Sequence, residues 1–167
     1  NADLANDLGN LVSRVLSMAQ RYCGGEVMAA ITPSSIAEQR LHEHMSNLER
    51  DVDDTVGELA FNRALERIWA RLDTINKYIV ETSPFTLARD KEKMPRVAEI
   101  LTNLLESLRV VANVLGPFMP VTSARMTDLL NLDDEILAKP FGEGLRLGHK
   151  VKPPVPLFPR IEQPAKE

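Results

Sequence analysis

Apolar residues recur every three or four positions along most of this chain. In the first segment Leu4, Leu8, Leu11, Val15, Met18 and Tyr22 form one stripe down a helix. Gly24 and Gly25 end it, because glycine weakens a helix and accepts the left-handed conformation that closes one. Ser35 with Glu38 three residues on has the form of a capping box and marks a second start. That helix is predicted to run to about Asp53, with Ile36, Leu41, Met45, Leu48 and Val52 facing inward. A third and longest helix is predicted from about Val56 to Glu81 on Leu65, Ile68, Leu72, Ile75 and Ile79, with Phe61 and Trp69 beside them. Ser83-Pro84 ends it, since the residue before proline is pushed out of the helical region. A fourth runs from about Arg96 to Leu115 and closes at Gly116-Pro117. A shorter helix at about Thr122 to Leu132 and one further turn from Asp133 to Ala138 follow. No alternating run is long enough to force a sheet. The expectation is an all-α bundle of about five helices.

The end of the chain has a different texture. Pro140, Pro153, Pro154, Pro156, Pro159 and Pro164 rule out a long helix and favour extended backbone. Leu157, Phe158 and Ile161 are apolar anchors that a mere linker does not need. Residues 1–139 are therefore read as the helical body, and 140–167 as a proline-rich tail that folds back on it.

Composition changes this picture little. At 44% hydrophobic and 26% charged the chain is an ordinary globular one, with no apolar run that reaches a membrane span. A lone Cys23 cannot form an internal disulfide and fits a reducing, cytoplasmic compartment. The chain opens on Asn rather than Met, as a piece of a longer protein would. The net charge of −4 excludes a broad basic surface, so any nucleic-acid contact must be local and made by few residues. Glu49, Asp51, Asp53, Asp54 and Glu58 form an acidic stretch, while Arg14, Arg21, Arg89, Lys91, Lys93 and Arg96 lie elsewhere.

Catalytic chemistry finds no foothold. His42 and His44 are two apart and point to different sides of a helix, so they cannot share a metal; both read as surface histidines. Glu38 and His42 can meet, but no second pair completes a site. One cysteine excludes a thiolate zinc site, and no glycine loop has the form that cradles phosphate. No catalytic residue, metal site or cofactor is expected in this chain.

One face carries more information. Opposite its apolar stripe the first helix presents Asn6, Asn10, Ser13, Arg14, Ser17 and Arg21. Asparagine is a mediocre helix former, and Asn10 and Arg14 lie four apart, one above the other. An amide offers donor and acceptor to a base edge, and a guanidinium offers a planar fork; together they suit an unstacked base of single-stranded RNA. On the residues alone a solvated face explains them as well. A non-catalytic scaffold bundle, with the polar stripe and tail docking another chain, stays open.

The opening Asn1-Ala-Asp-Leu-Ala-Asn-Asp-Leu-Gly-Asn-Leu-Val-Ser-Arg14 resembles the start of the anticodon-binding domain of bacterial methionyl-tRNA synthetases. The likeness continues through Ile68-Trp69, Asn76-Lys77-Tyr78, Ser83-Pro84-Phe85-Thr86-Leu87-Ala88-Arg89 and Pro117-Phe-Met-Pro120 to Pro156-Leu-Phe-Pro-Arg-Ile-Glu162. These blocks keep their order across essentially the whole chain. The resemblance implies a helix bundle beside a Rossmann-type catalytic domain, whose His-Ile-Gly-His and Lys-Met-Ser-Lys-Ser type signatures are absent here. ATP and methionine would belong to that catalytic domain. The implied partners are the tRNA for methionine, with its CAU anticodon, and the catalytic domain of the same chain, with neither membrane nor DNA. Asn10 and Arg14 match the family's Asn-x-x-x-Arg pair for the first anticodon base. Arg21, Pro84 and Arg89 are further candidates for contact with the anticodon. Phe85 stands where the family usually has the Trp on which a base stacks, a departure that keeps a π face but loses area. Trp69 belongs by its register to the core.

Overall fold

The computed structural model describes the backbone of residues 2–158 and the side chains of 6–158. Eight α-helical segments follow one another: α1 (Ala2–Cys23), α2 (Ile36–Ser46), α3 (Leu48–Gly57), α4 (Phe61–Thr82), α5 (Pro84–Leu87), α6 (Met94–Leu115), α7 (Pro120–Leu129) and α8 (Asp134–Leu137). Among the described residues there is no strand, only one isolated antiparallel bridge between Glu26 and Lys150. No described helix is long and apolar enough to cross a membrane.

The core is built around α6, on which α1, α3, α4, α5, α7 and α8 all pack. From Val97 to Leu115 every residue of α6 is buried except Glu99 and Asn113, which are half-buried. Burial therefore extends around the whole circumference of the helix rather than along one stripe. The polar residues caught inside turn back on the helix: Thr102 Oγ1 donates to the Ala98 carbonyl at 2.9 Å and Ser107 Oγ to that of Asn103 at 2.8 Å. Buried polar groups so paired cost little.

Element boundaries depart from the expected ones for local reasons. The second helix is not continuous to Asp53 but breaks at Asn47 into α2 and α3. Arg71 from α4 reaches into the break, donating Nε to the His44 carbonyl at 3.0 Å and Nη2 to Asp51 Oδ2 at 2.6 Å. Ile36, expected inward, is 73% exposed at the first position of α2, and the buried group of that turn is Glu38. Helix α4 starts at Phe61 rather than Val56, because α3 continues to Gly57 and Leu59 turns the chain at φ 57°. His42 is not a solvated surface histidine. Asn103 Nδ2 is committed to the Glu99 carbonyl, so His42 Nε2 donates to Asn103 Oδ1, at 2.6 Å, and the imidazole meets Phe141 edge-on at 4.9 Å. Trp69 is half-buried against the core.

Gly24 and Gly25 close α1 at φ 60° and 75°, with Gly25 N–H bonded to the Ala19 carbonyl at 3.0 Å. The chain then pairs with the tail: Val27 N–H donates to the His149 carbonyl at 2.8 Å, and Val151 N–H to that of Gly25 at 2.8 Å. Further back, an ion pair with no exposed surface lies inside α6, where Arg109 Nη2 meets Glu106 Oε1 at 2.7 Å. Glu106 also accepts from the backbone N–H groups of Gly142, Gly144 and Leu145 at 2.9, 3.2 and 3.0 Å. Arg109 donates to the carbonyls of Leu137 and Pro140 at 2.8 and 3.0 Å. A Cβ at Gly144 would lie 2.1 Å from Arg109 Nε, so glycine is required there. Leu145, Val151 and Leu157 are buried and Phe158 half-buried against the body. The third expected anchor, Ile161, lies outside the described residues, as do Pro159, Pro164 and the side chain of Leu4.

Candidate nucleic-acid interface

Helix α1 buries Leu8, Leu11, Val12, Val15 and Leu16 and turns Asn6, Asn10, Arg14, Ser17 and Arg21 to the exposed side. The helical period alone produces this split. Arg14 does not float: its Nη2 donates to Asn76 Oδ1 on α4 at 2.7 Å, across 62 residues of sequence. The bond fixes one edge of the guanidinium and leaves the column above Asn10 directed outward. Arg21 lies two turns on and places its guanidinium 5.6 Å from the ring centroid of its neighbour Tyr22.

Asn76 stands six residues before the end of α4, about 9 Å of helix. There the chain makes a sharp elbow. Ser83 adopts the left-handed conformation at φ 46°, ψ 58°, and its N–H donates to the Ile79 carbonyl at 2.9 Å. Pro84 opens the single turn α5, a position where its missing N–H costs nothing. This short helix was not foreseen; the proline predicted to break the chain both ends one helix and starts the next. Pro84 is buried, so its contribution is the bend rather than a surface. The next residue, Phe85, is 47% exposed, and Arg89 is exposed two residues beyond the end of α5.

Beneath the elbow is a buried polar cluster that sequence reasoning missed. Glu38 has no exposed surface; its Oε1 accepts from Tyr78 at 2.5 Å and from Arg96 Nη2 at 2.6 Å, and its Oε2 from Ser35 Oγ. Burial by itself would raise the Glu38 pKa, but the hydrogen bonds from Ser35, Tyr78 and Arg96 outweigh it and hold the carboxyl below its ordinary value. The Tyr78 hydroxyl is pushed up by burial and by the carboxylate it serves. Arg96 also meets Glu99 Oε2 at 3.0 Å. The cluster ties the start of α2, the last turns of α4 and the first turn of α6 together. The sequence signal was the capping box, which identifies Glu38 as a cap but cannot reveal partners 40 and 58 residues away.

Among the described residues no three of His, Cys, Asp and Glu stand close enough to hold a metal ion. Burial raises the Cys23 thiol pKa, which keeps it in the unreactive protonated form.

A helical bundle that shows an amide–guanidinium column on one helix and an exposed ring at the elbow of another has the form of a synthetase anticodon-binding domain. Residues 29–167 match the family model of the anticodon binding domain of methionyl tRNA ligase, and the chain belongs to that family. Helix α1 precedes the matched range, but whole-length relatives include it. The methionine–tRNA ligase of Clostridium tetani is 38% identical over 99% of this chain, and that of Clostridium acetobutylicum 39% identical over 97%. The chain spans 26% and 25% of those relatives' lengths. Among solved structures, the apo form of Mycobacterium tuberculosis methionyl-tRNA synthetase superimposes with a TM-score of 0.87 at 30% identity, covering 98% of this chain and 34% of the other. The same enzyme bound by methionyl-adenylate gives 0.86 over 95% of this chain and 32% of the other.

Proposed function

We propose that this chain reads the CAU anticodon of methionine tRNA for a cytoplasmic, ATP-dependent methionine–tRNA ligase, and that it holds no catalytic residue itself. Activation of methionine by ATP belongs to the part of such a ligase that this chain does not include. Asn10 and Arg14 read the edge of the first anticodon base, Phe85 stacks a base, and Arg21 and Arg89 are further contacts to the anticodon. Body and tail work as one unit, because the segment 140–158 is pinned to α6 and α1. The observation that carries this reading is the Arg14–Asn76 bond, which holds the polar column of α1 beside the helix that ends in the Phe85 elbow. A preoriented guanidinium loses less freedom on meeting a base.

The test is binding of anticodon stem-loop RNAs at fixed salt. The CAU loop is expected to bind more tightly than a loop with a changed first base, and Asn10→Ala or Arg14→Ala should remove about 1–3 kcal/mol of that discrimination. Alanine is the better helix former, so the melting temperature should hold. A uniform loss across all loops would make Arg14 a phosphate contact, and no preference for CAU at any salt would defeat the reading.

A further inference from the structure

The acidic stretch of α3 takes no part in the reading of RNA, and it borders a groove. The groove, about 400 Å3 in volume, lies where α3, the first turn of α4 and the end of α6 meet. Val52, Val56, Phe61 and Phe118 give it an apolar lining, and Glu49 and Asp53 stand among them. We propose that this groove docks a segment of the ligase outside the present chain, one that carries lysine or arginine beside an apolar side chain. The proposal rests on the reading given above, that the chain serves a longer methionine–tRNA ligase, and adds the surface by which it is held.

The apolar part of the groove is incompletely covered. Phe61 is 52% exposed and meets the half-buried Phe118 edge-on at 6.5 Å, so an aromatic pair stands at an open surface. Leu59, two residues earlier, is 77% exposed. The buried face of α4 begins only at Ala64, so the bundle itself leaves the Phe61 ring for another surface to cover.

Charge selects what covers it. Helix α3 carries Glu49, Asp51, Asp53 and Asp54 against Arg50 alone, and no basic residue lies in its last turn. Asp51 pairs with Arg71 and Glu58 with Arg63, but among the described residues Asp53 and Asp54 have no such cation. A carboxylate near the C-terminal end of a helix faces the negative pole of its dipole, so a cation from outside is favoured there. The same carboxylates repel a polyanion, which turns this face away from RNA. Surface charge alone is worth little, so apolar burial supplies the affinity and the acidic rim the selection. The chain spans only 26% and 25% of the Clostridium tetani and Clostridium acetobutylicum ligases, so most of such a ligase lies outside it. A segment of the same chain is present at high effective concentration and needs only a modest contact. Interfaces between domains of one chain are of this mixed apolar and polar kind.

The test uses the full-length ligase, dilute and free of RNA, with p-benzoylphenylalanine in place of Phe61. After irradiation, the attached peptide is sequenced by mass spectrometry from material at the mass of a monomer. Attachment is expected to a segment outside residues 1–167, with a lysine or arginine next to the attached site. Attachment only within residues 1–167, only to a second copy, to a segment without a basic residue, or no attachment at all overturns the proposal. Asp53→Lys, at an exposed position, should lower the yield roughly two- to tenfold, the scale of one surface attraction turned to repulsion. An unchanged yield removes the basic character of the segment, and the proposal with it. Charging assays on the same ligase, with CAU and changed-anticodon tRNAs, separate the two claims. A lost CAU preference with attachment intact sinks the anticodon reading alone; a kept preference without attachment sinks the docking alone.

Discussion

Phe85 is half-exposed while its neighbour Pro84 is buried, so one residue shapes the elbow and the next displays a ring from it. Phe85→Ala is expected to weaken stem-loop binding by about 1–3 kcal/mol, the range for one base–aromatic stack. Phe85→Trp should bind at least as well as the natural chain, because the larger ring has solvent to extend into. Affinity and melting temperature for the two variants decide the matter. If alanine melts the bundle and tryptophan does too, the ring is structural. At this scale much was legible in the sequence: the helical period alone put Asn10 and Arg14 on one exposed face, and the proline placed Phe85 at a break. Asn76 as the partner of Arg14 was not legible, since nothing local links residues 62 apart. Ile36 was misread because a periodic position at a helix start has no preceding turn to hold it inward.

Between elements, the Glu38 cluster is what fixes the elbow relative to α2 and α6. Its carboxyl is held below the ordinary value of 4.5, so the unfolded chain takes up its proton more readily. The stabilisation is therefore complete above the ordinary carboxylate range and is lost as pH falls through the lower, folded value. Glu38→Gln should flatten that acid limb. At neutral pH it should cost about 1–3 kcal/mol, a lost charged acceptor for Tyr78 and Arg96 moderated by the 30% exposure of Arg96. Thermal melts from pH 7 down to pH 3 measure both effects; an acid limb identical to that of the natural chain would show that Glu38 does not govern it. Helix existence was legible here because apolar spacing is a local signal. The break at Asn47 and the burial of Glu38 were not, because Arg71, Tyr78 and Arg96 impose them from other helices.

For the molecule as a whole, the Glu106–Arg109 pair pins the first part of the tail, residues 140–145, to the body. Glu106→Gln removes the charge that Arg109 and three backbone N–H groups share, leaving a buried guanidinium without its counter-ion. A loss of about 3–5 kcal/mol is expected, together with faster proteolytic cutting between residues 140 and 147. Limited proteolysis at a temperature where the variant remains folded separates the two effects. Unchanged cutting would mean the loop is held by other contacts. In sequence, Glu106 and Arg109, three apart in the mostly apolar second half of α6, were the only hint of this staple; most of its carbonyl and amide partners lie in the tail.

Helix α6 is wrapped on nearly every side, and that gives its amide protons an unusual value. They meet solvent only when the bundle opens as a whole, so their exchange with deuterium follows global stability rather than local fraying. Any RNA that binds the folded chain alone slows that exchange in proportion to 1 + [L]/Kd, where [L] is the free RNA concentration, wherever on the surface it binds. The most secluded helix thereby serves as a gauge of occupancy at the surface.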